Sequence, residues 1–105
     1  NARVKFAAFT RPHGESLASL KNALGLSRIP ERIECYDIST LQGAQPVGSK
    51  VCFFNGIPEK SRYRRFRIKH AAGADDVGSM TEVLLRSLKR EQSEKSLPDM
   101  VLLDG

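Results

Sequence analysis

Two apolar runs, Ile33-Glu34-Cys35-Tyr36-Asp37 and Met100-Val101-Leu102-Leu103-Asp104, each stop on an aspartate. Both are short, and turn-formers bound them: Pro30 and Ser39-Thr40 for the first, Pro98 and Gly105 for the second. Runs of that length and composition read as strands. The second is apolar at every position before Asp104, the pattern of a strand covered on both faces. A carboxylate at a strand end is costly if buried alone, so a buried one has a hydrogen-bond or metal partner. The remainder of the chain decides whether the two aspartates meet.

Between them the order is β-β-β-α-β. The first strand covers 32–38 and leaves through a loop at 41–46. The second covers 47–54, with Val47, Val51, Cys52, Phe53 and Phe54. Asn55-Gly56 follows, the strongest short hairpin signal and one that favours a type I′ turn. The third strand, 57–68, runs back antiparallel. Pro58 near its start suits an edge strand or a strand end. After the Ala71–Asp76 turn, a helix extends to about Glu91 on an apolar stripe of Met80, Val83, Leu84 and Leu88. Asp75 or Asp76 suits its N-cap, with a contribution to a metal site as the alternative. The last strand is 100–103. A crossover helix returns that strand parallel to an earlier one. If it pairs with the first, Asp37 and Asp104 emerge at one edge, where open α/β sheets place their sites. The competing reading is that each is merely the first polar residue after a strand. Alternation sends Glu34 to the face opposite Asp37.

Residues 1–30 read as a helical lead-in to a domain at 31–105. Val4, Phe6, Ala7, Ala8 and Phe9 carry a weak helical signal, Pro12-His13-Gly14 interrupts it, and helix resumes near Ser16. There Leu17, Leu20 and Leu24 share a face and Gly25 caps the end.

The length, 105 residues, suits one domain, and 40% hydrophobic with 28% charged residues is an ordinary globular composition. No apolar run approaches the roughly 20 residues of a membrane span, so no membrane partner is expected. The start lacks a signal peptide and an initiator Met, so a piece of a longer cytoplasmic protein is expected. Cys35 and Cys52 read as reduced, packed thiols, and His13 and His70 as turn or surface residues. The net charge is +5, and the block from Lys60 to Lys69 holds Lys60, Arg62, Arg64, Arg65, Arg67 and Lys69 with no acidic residue. Tyr63, Arg64, Arg65 and Arg67 are the expected DNA-binding residues. Alternation points Tyr63, Arg65 and Arg67 to one face and Arg64 and Phe66 to the other. A solvated edge strand is the alternative.

Two close carboxylates repel, and Mg²⁺ or Mn²⁺ relieves that repulsion while sharing phosphate oxygens. Two such ions about 4 Å apart can drive phosphodiester hydrolysis. With a basic strand on the same sheet to hold a phosphate backbone, a metal-dependent nuclease is the chemistry expected. Phosphate-loop, serine-elbow and zinc motifs are absent.

Several motifs also carry a family resemblance. Pro30-Glu31-Arg32-Ile33-Glu34-Cys35-Tyr36-Asp37-Ile38-Ser39, with Gln42-Gly43, resembles the start of the C-terminal endonuclease domain of the UvrC family, the incising subunits of bacterial nucleotide excision repair. Lys60-Ser61-Arg62-Tyr63-Arg64-Arg65-Phe66-Arg67-Ile68, then Asp75-Asp76, Met80 and Glu82-Val83-Leu84, and finally Leu97 to Gly105, match in order. The resemblance implies an α/β (by some schemes α+β) RNase H-like fold. Its parts would be a three-stranded antiparallel meander, a crossover helix and a parallel fourth strand, preceded by an N-terminal helix. It implies an Asp-Asp-His set with Mg²⁺ or Mn²⁺ that cuts damaged double-stranded DNA on the 5′ side. Asp37 matches the first aspartate and Asp104 the second, as catalytic residues and metal ligands. The histidine, a helix-hairpin-helix domain, an upstream nuclease domain and the UvrB-binding segment would lie outside this stretch, which should therefore fold but not incise DNA alone. Thr40 departs from the family, which often has His there. A non-catalytic DNA-binding module and a scaffold for an acidic protein partner are the competing functions.

Overall fold

The computed structural model describes residues 5–8, 22, 25–26, 28–39, 45–69 and 76–104. Among the described residues the strands are β1 (Lys5–Ala8), β2 (Arg32–Ser39), β3 (Val47–Phe54), β4 (Ile57–Pro58), β5 (Arg64–Arg67) and β6 (Met100–Asp104), and the helix α1 (Asp76–Ser93) precedes β6. The sheet order is β1-β6-β2-β3-β4, and β5 also pairs with β3. β6 lies between β1 and β2 and runs parallel to both, whereas β3 is antiparallel to β2, β4 and β5. The strand apolar throughout is thus interior to the sheet, as its composition requires.

Two elements differ from the sequence reading. Residues 5–8, read as part of a helical lead-in, form a strand of the same sheet. An apolar strand such as β6 cannot leave one row of backbone groups unpaired without cost, and ladder pairing outweighs the weak local helical preference of four residues. The strand expected at 57–68 is broken into β4, a 3-10 turn at Lys60–Arg62, and β5. Pro58 offers no N–H to extend the ladder. The turn then directs Arg62 inward, where its guanidinium lies 3.5 Å from Glu91 Oε2 and donates to Ser96 O at 3.4 Å. Of the helix expected over 16–25 only Asn22, which is helical, and Gly25 are among the described residues, and the Pro12-His13-Gly14 break and Thr40 lie outside them. Gly25 has the left-handed φ of 65° that a cap demands, and its N–H donates to Asn22 O.

The hairpin is as its turn residues dictate: Asn55 and Gly56 both have positive φ, 52° and 80°, as a type I′ turn requires. α1 ends in a Schellman motif. Ser96 N–H donates to Glu91 O and Lys95 N–H to Gln92 O, with Lys95 left-handed at φ 56°.

α1 covers one face of the sheet. Val83 is fully buried against Tyr36, Ile68 and Val101, with Ile38, Phe66, Met80, Leu84, Leu88 and Leu103 around them. The opposite face carries Ile33, Met100 and Leu102, packed with Leu26, Cys35 and Phe53. Asp99 ties the entrances of β2 and β6 together. Its Oδ2 accepts from the N–H groups of Glu31 (3.0 Å) and Arg32 (2.9 Å), and its own N–H donates to Arg32 O.

Candidate metal centre and nucleic-acid face

The Asp99 clamp sets the register that matters. Each of the two aspartates lies five residues beyond the clamped pair Arg32 and Asp99, so the ladder from Ile33↔Met100 carries Asp37 directly opposite Asp104. Neighbouring parallel strands run about 4.8 Å apart, so the two carboxylates spring from adjacent points. Both are exposed and lie on the face away from α1. They rim a hollow of about 290 Å³ with Cys35, Ser49, Val51 and Leu102 as neighbours on that face. Among the described residues no third carboxylate, histidine or cysteine joins them in a cluster. Two hard oxygen donors open to water match what Mg²⁺ accepts: one or two protein carboxylates, with waters and phosphate oxygens completing the shell. Mn²⁺ takes oxygen ligands in the same way.

The same ladder sorts the basic block. Lys50 faces Arg64, Ser49 faces Arg65, Gly48 faces Phe66 and Val47 faces Arg67 across β3 and β5. Asp37 in turn faces Ser49 across β2 and β3. Arg65 and Arg67 therefore share the face of the aspartates, while Arg64 and Phe66 belong to the helix side. Arg64 folds back to donate to the carbonyls of Ser61 and Tyr63. Arg62 is held by Glu59 and Glu91. Arg65 and Arg67 are exposed, and among the described residues neither guanidinium has an ion-pair or hydrogen-bond partner. Their strand is nonetheless pinned from behind: Arg86 donates to Arg67 O at 2.7 Å, and Lys69 N–H donates to Glu82 Oε2 at 2.6 Å. Tyr63 lines a hollow beside Arg65.

Glu34 is fully buried on the helix face, as alternation required. What single-strand alternation did not reveal is its company. Lys50 donates to Ser87 Oγ (3.2 Å) and Glu91 Oε2 (3.0 Å), and Tyr36 OH donates to Glu34 Oε1 (2.6 Å). Since Tyr36 has one proton to give, the Ser87 hydroxyl donates to Tyr36 Oη across 2.7 Å. Burial, and a hydrogen bond with the neighbouring Glu91 carboxylate, push Glu34 up to about 8, against the pull of Tyr36 and Lys50. Glu34 thus keeps its proton at neutral pH, beside the Glu91 carboxylate that Lys50 also holds. A signal for this network existed. Glu34, Lys50, Ser87 and Glu91 each occupy an apolar-phase position of their element, and their charges complement one another.

Both cysteines are free, and burial first, then the Glu34 charge, raises each thiol to about 11. Neither supplies a thiolate nucleophile at neutral pH. His13, His70 and Asp75 lie outside the described residues. Asp76 opens α1, and its proposed capping or metal-binding side chain also lies outside them.

A mixed sheet with a crossover helix on one face, and two aspartates level at the ends of adjacent parallel strands on the other, defines an α/β domain of the RNase H-like class. The family model for the UvrC RNase H endonuclease domain matches residues 21–105, and the chain belongs to that family. It is 53% identical over 91 residues to the UvrABC system protein C of Trichlorobacter lovleyi, covering 86% of this chain and 15% of that protein. To the protein of the same name from Anaeromyxobacter dehalogenans it is 50% identical over 91 residues, covering 87% and 13%. To that of Dehalococcoides mccartyi it is 46% identical over 110 residues, covering 99% and 18%. The chain thus spans less than a fifth of the length of these relatives.

Proposed function

We propose that this chain is the catalytic core of a metal-dependent DNA endonuclease that makes the 5′ incision in nucleotide excision repair. The observation that carries the reading is the register of Asp37 against Asp104 at parallel strand ends, on the face that also presents the exposed Arg65 and Arg67. Asp37 and Asp104 would hold Mg²⁺ or Mn²⁺. Such an ion, when bound, stabilises charge on a phosphoryl oxygen and lowers the pKa of a bound water. The two carboxylates fix where that chemistry falls. Arg65 and Arg67 neutralise the backbone of a damaged duplex and Tyr63 offers a stacking face beside them, while Arg64, on the helix side and turned onto the Ser61 and Tyr63 carbonyls, takes no part in that contact. The intact protein would act in the cytoplasm with UvrB, through a segment outside these residues. On this reading the family's proton-transferring histidine would also come from outside them, and loss of such a group costs about 10²- to 10⁴-fold. These 105 residues alone are therefore expected to bind metal without efficient incision.

Titrating Mn²⁺ into the protein and into Asp37→Asn and Asp104→Asn tests the reading. Each substitution should weaken binding strongly and, in the intact protein, abolish 5′ incision of a lesion-bearing duplex. Undiminished Mn²⁺ affinity in both variants sinks the metal site. DNA affinity without metal binding would leave a DNA-binding module.

A further inference from the structure

On the open face, the residues level with one another across β6, β2, β3 and β5 are Asp104, Asp37, Ser49 and Arg65. At about 4.8 Å per strand the row is about 14 Å long. Two hollows lie along it. The first holds the carboxylates and the second holds Tyr63 and Arg65, and Ser49 and Val51 line both, at the junction between them. Ser49 is half-buried, and among the described residues its hydroxyl has no hydrogen-bond partner. Arg65 is likewise unpaired among them, while Val51 gives the junction an apolar wall. The row thus has two carboxylates at one end, an available hydroxyl in the middle and an exposed guanidinium at the other end. Such an arrangement suits a chain of phosphates running across the strands.

We propose that Ser49 and Arg65 form a phosphate subsite that holds the DNA phosphate next to the scissile one, on the side of Asp37 away from Asp104. The inference rests on the endonuclease reading and adds a direction to it: the cut strand crosses the sheet from β6 toward β5. Ser49 donates its hydroxyl to that phosphate, and Arg65 supplies a charge-assisted contact.

The test uses duplexes in which single phosphates flanking the incision point are replaced by neutral methylphosphonate, bound in Ca²⁺ by the intact protein, Ser49→Ala and Arg65→Ala. The wild type should lose affinity at one neighbouring phosphate on one side. Arg65→Ala should make that replacement silent and lower the slope of log K against log salt by about 0.9. Ser49→Ala should weaken binding to the unmodified duplex by about tenfold, the scale of a hydrogen bond to a charged group, and much less at the neutralised position. Unchanged urea midpoints would exclude misfolding as the cause. Losses spread evenly over all phosphates, or additive with every replacement, overturn the subsite. Mn²⁺ titration without DNA reads the underlying metal assignment separately. Metal binding dependent on Asp37 with a flat phosphate map removes the subsite alone.

Discussion

A single methyl group at position 48 would change how closely α1 can approach the sheet. A Cβ built on Gly48 would lie 2.5 Å from Val83 Cγ2 and 3.2 Å from Cγ1. Gly48→Ala should therefore destabilise the domain by about 1–3 kcal/mol, as overpacking of a filled core does. Adding Val83→Ala should recover part of that loss, so the double variant is less destabilised than the sum of the singles. Urea denaturation of the four proteins checks this. Glu34 makes a second residue-level prediction, on pH. Its pKa rises from 4.5 unfolded to about 8 folded, so the folded state binds the extra proton. The stability this contributes is fully present below about 4.5 and is lost as pH rises through about 8. Wild-type stability should fall between pH 5 and 9 by on the order of a few kcal/mol, since each pH unit separating the folded and unfolded values is worth about 1.36 kcal/mol. Glu34→Gln, which keeps a donor and an acceptor but cannot ionise, should flatten that slope. A wild-type curve as flat as the variant's would refute a protonated Glu34.

At the scale of elements, the site depends on how β2 and β6 begin rather than on how they end. Asp99 gathers two N–H groups and gives one, and five residues later this alignment delivers Asp37 level with Asp104. Asp99→Ala leaves those amides without their partner, at a cost of about 1–3 kcal/mol. Hydrogen exchange at Glu31 and Arg32 should accelerate, and Mn²⁺ affinity should fall although neither carboxylate is touched. Preserved metal affinity would mean that the ladder holds the register without the clamp. Nothing local in the sequence marks Asp99 as a clamp, because its partners are 67 and 68 positions away. The elements read most accurately were those with local signals. These were the Asn-Gly turn, the 47–54 strand, and the helix whose stripe runs through Met80, Val83, Leu84 and Leu88. The 57–68 strand was misjudged because its break answers to Glu91 and Ser96 on another element.

At the scale of the molecule, the arginines and lysines that flank the sheet divide by face among the described residues. On the helix side the cations are largely spent: Lys50 and Arg62 on Glu91, Arg86 on Glu82, and Arg90 on Glu94. On the open side, among the described residues, Arg65 and Arg67 are not. Reversing both to Glu should lower the salt slope of DNA binding by about 0.9 for each phosphate that is no longer neutralised, while reversing Lys89 and Arg90 should leave it unchanged. An equal effect from both pairs would show that bulk charge, not this face, attracts the polyanion.

From residue 32 onward the sequence by itself determined the order of strands and helix, and the two aspartates that close two apolar strands. Those features follow from side-chain periodicity and turn chemistry within a few residues of chain. Only the tertiary structure decided that β6 lies between β1 and β2, that Asp37 meets Asp104 in register, and that Ser49 and Arg65 extend their row. It also decided that Glu34, Lys50, Ser87 and Glu91 satisfy one another beneath the helix. Pairing partner, register and facing side are properties of backbone ladders between distant segments. A slip of one residue in any of them would have carried the same aspartate to the opposite face of the sheet.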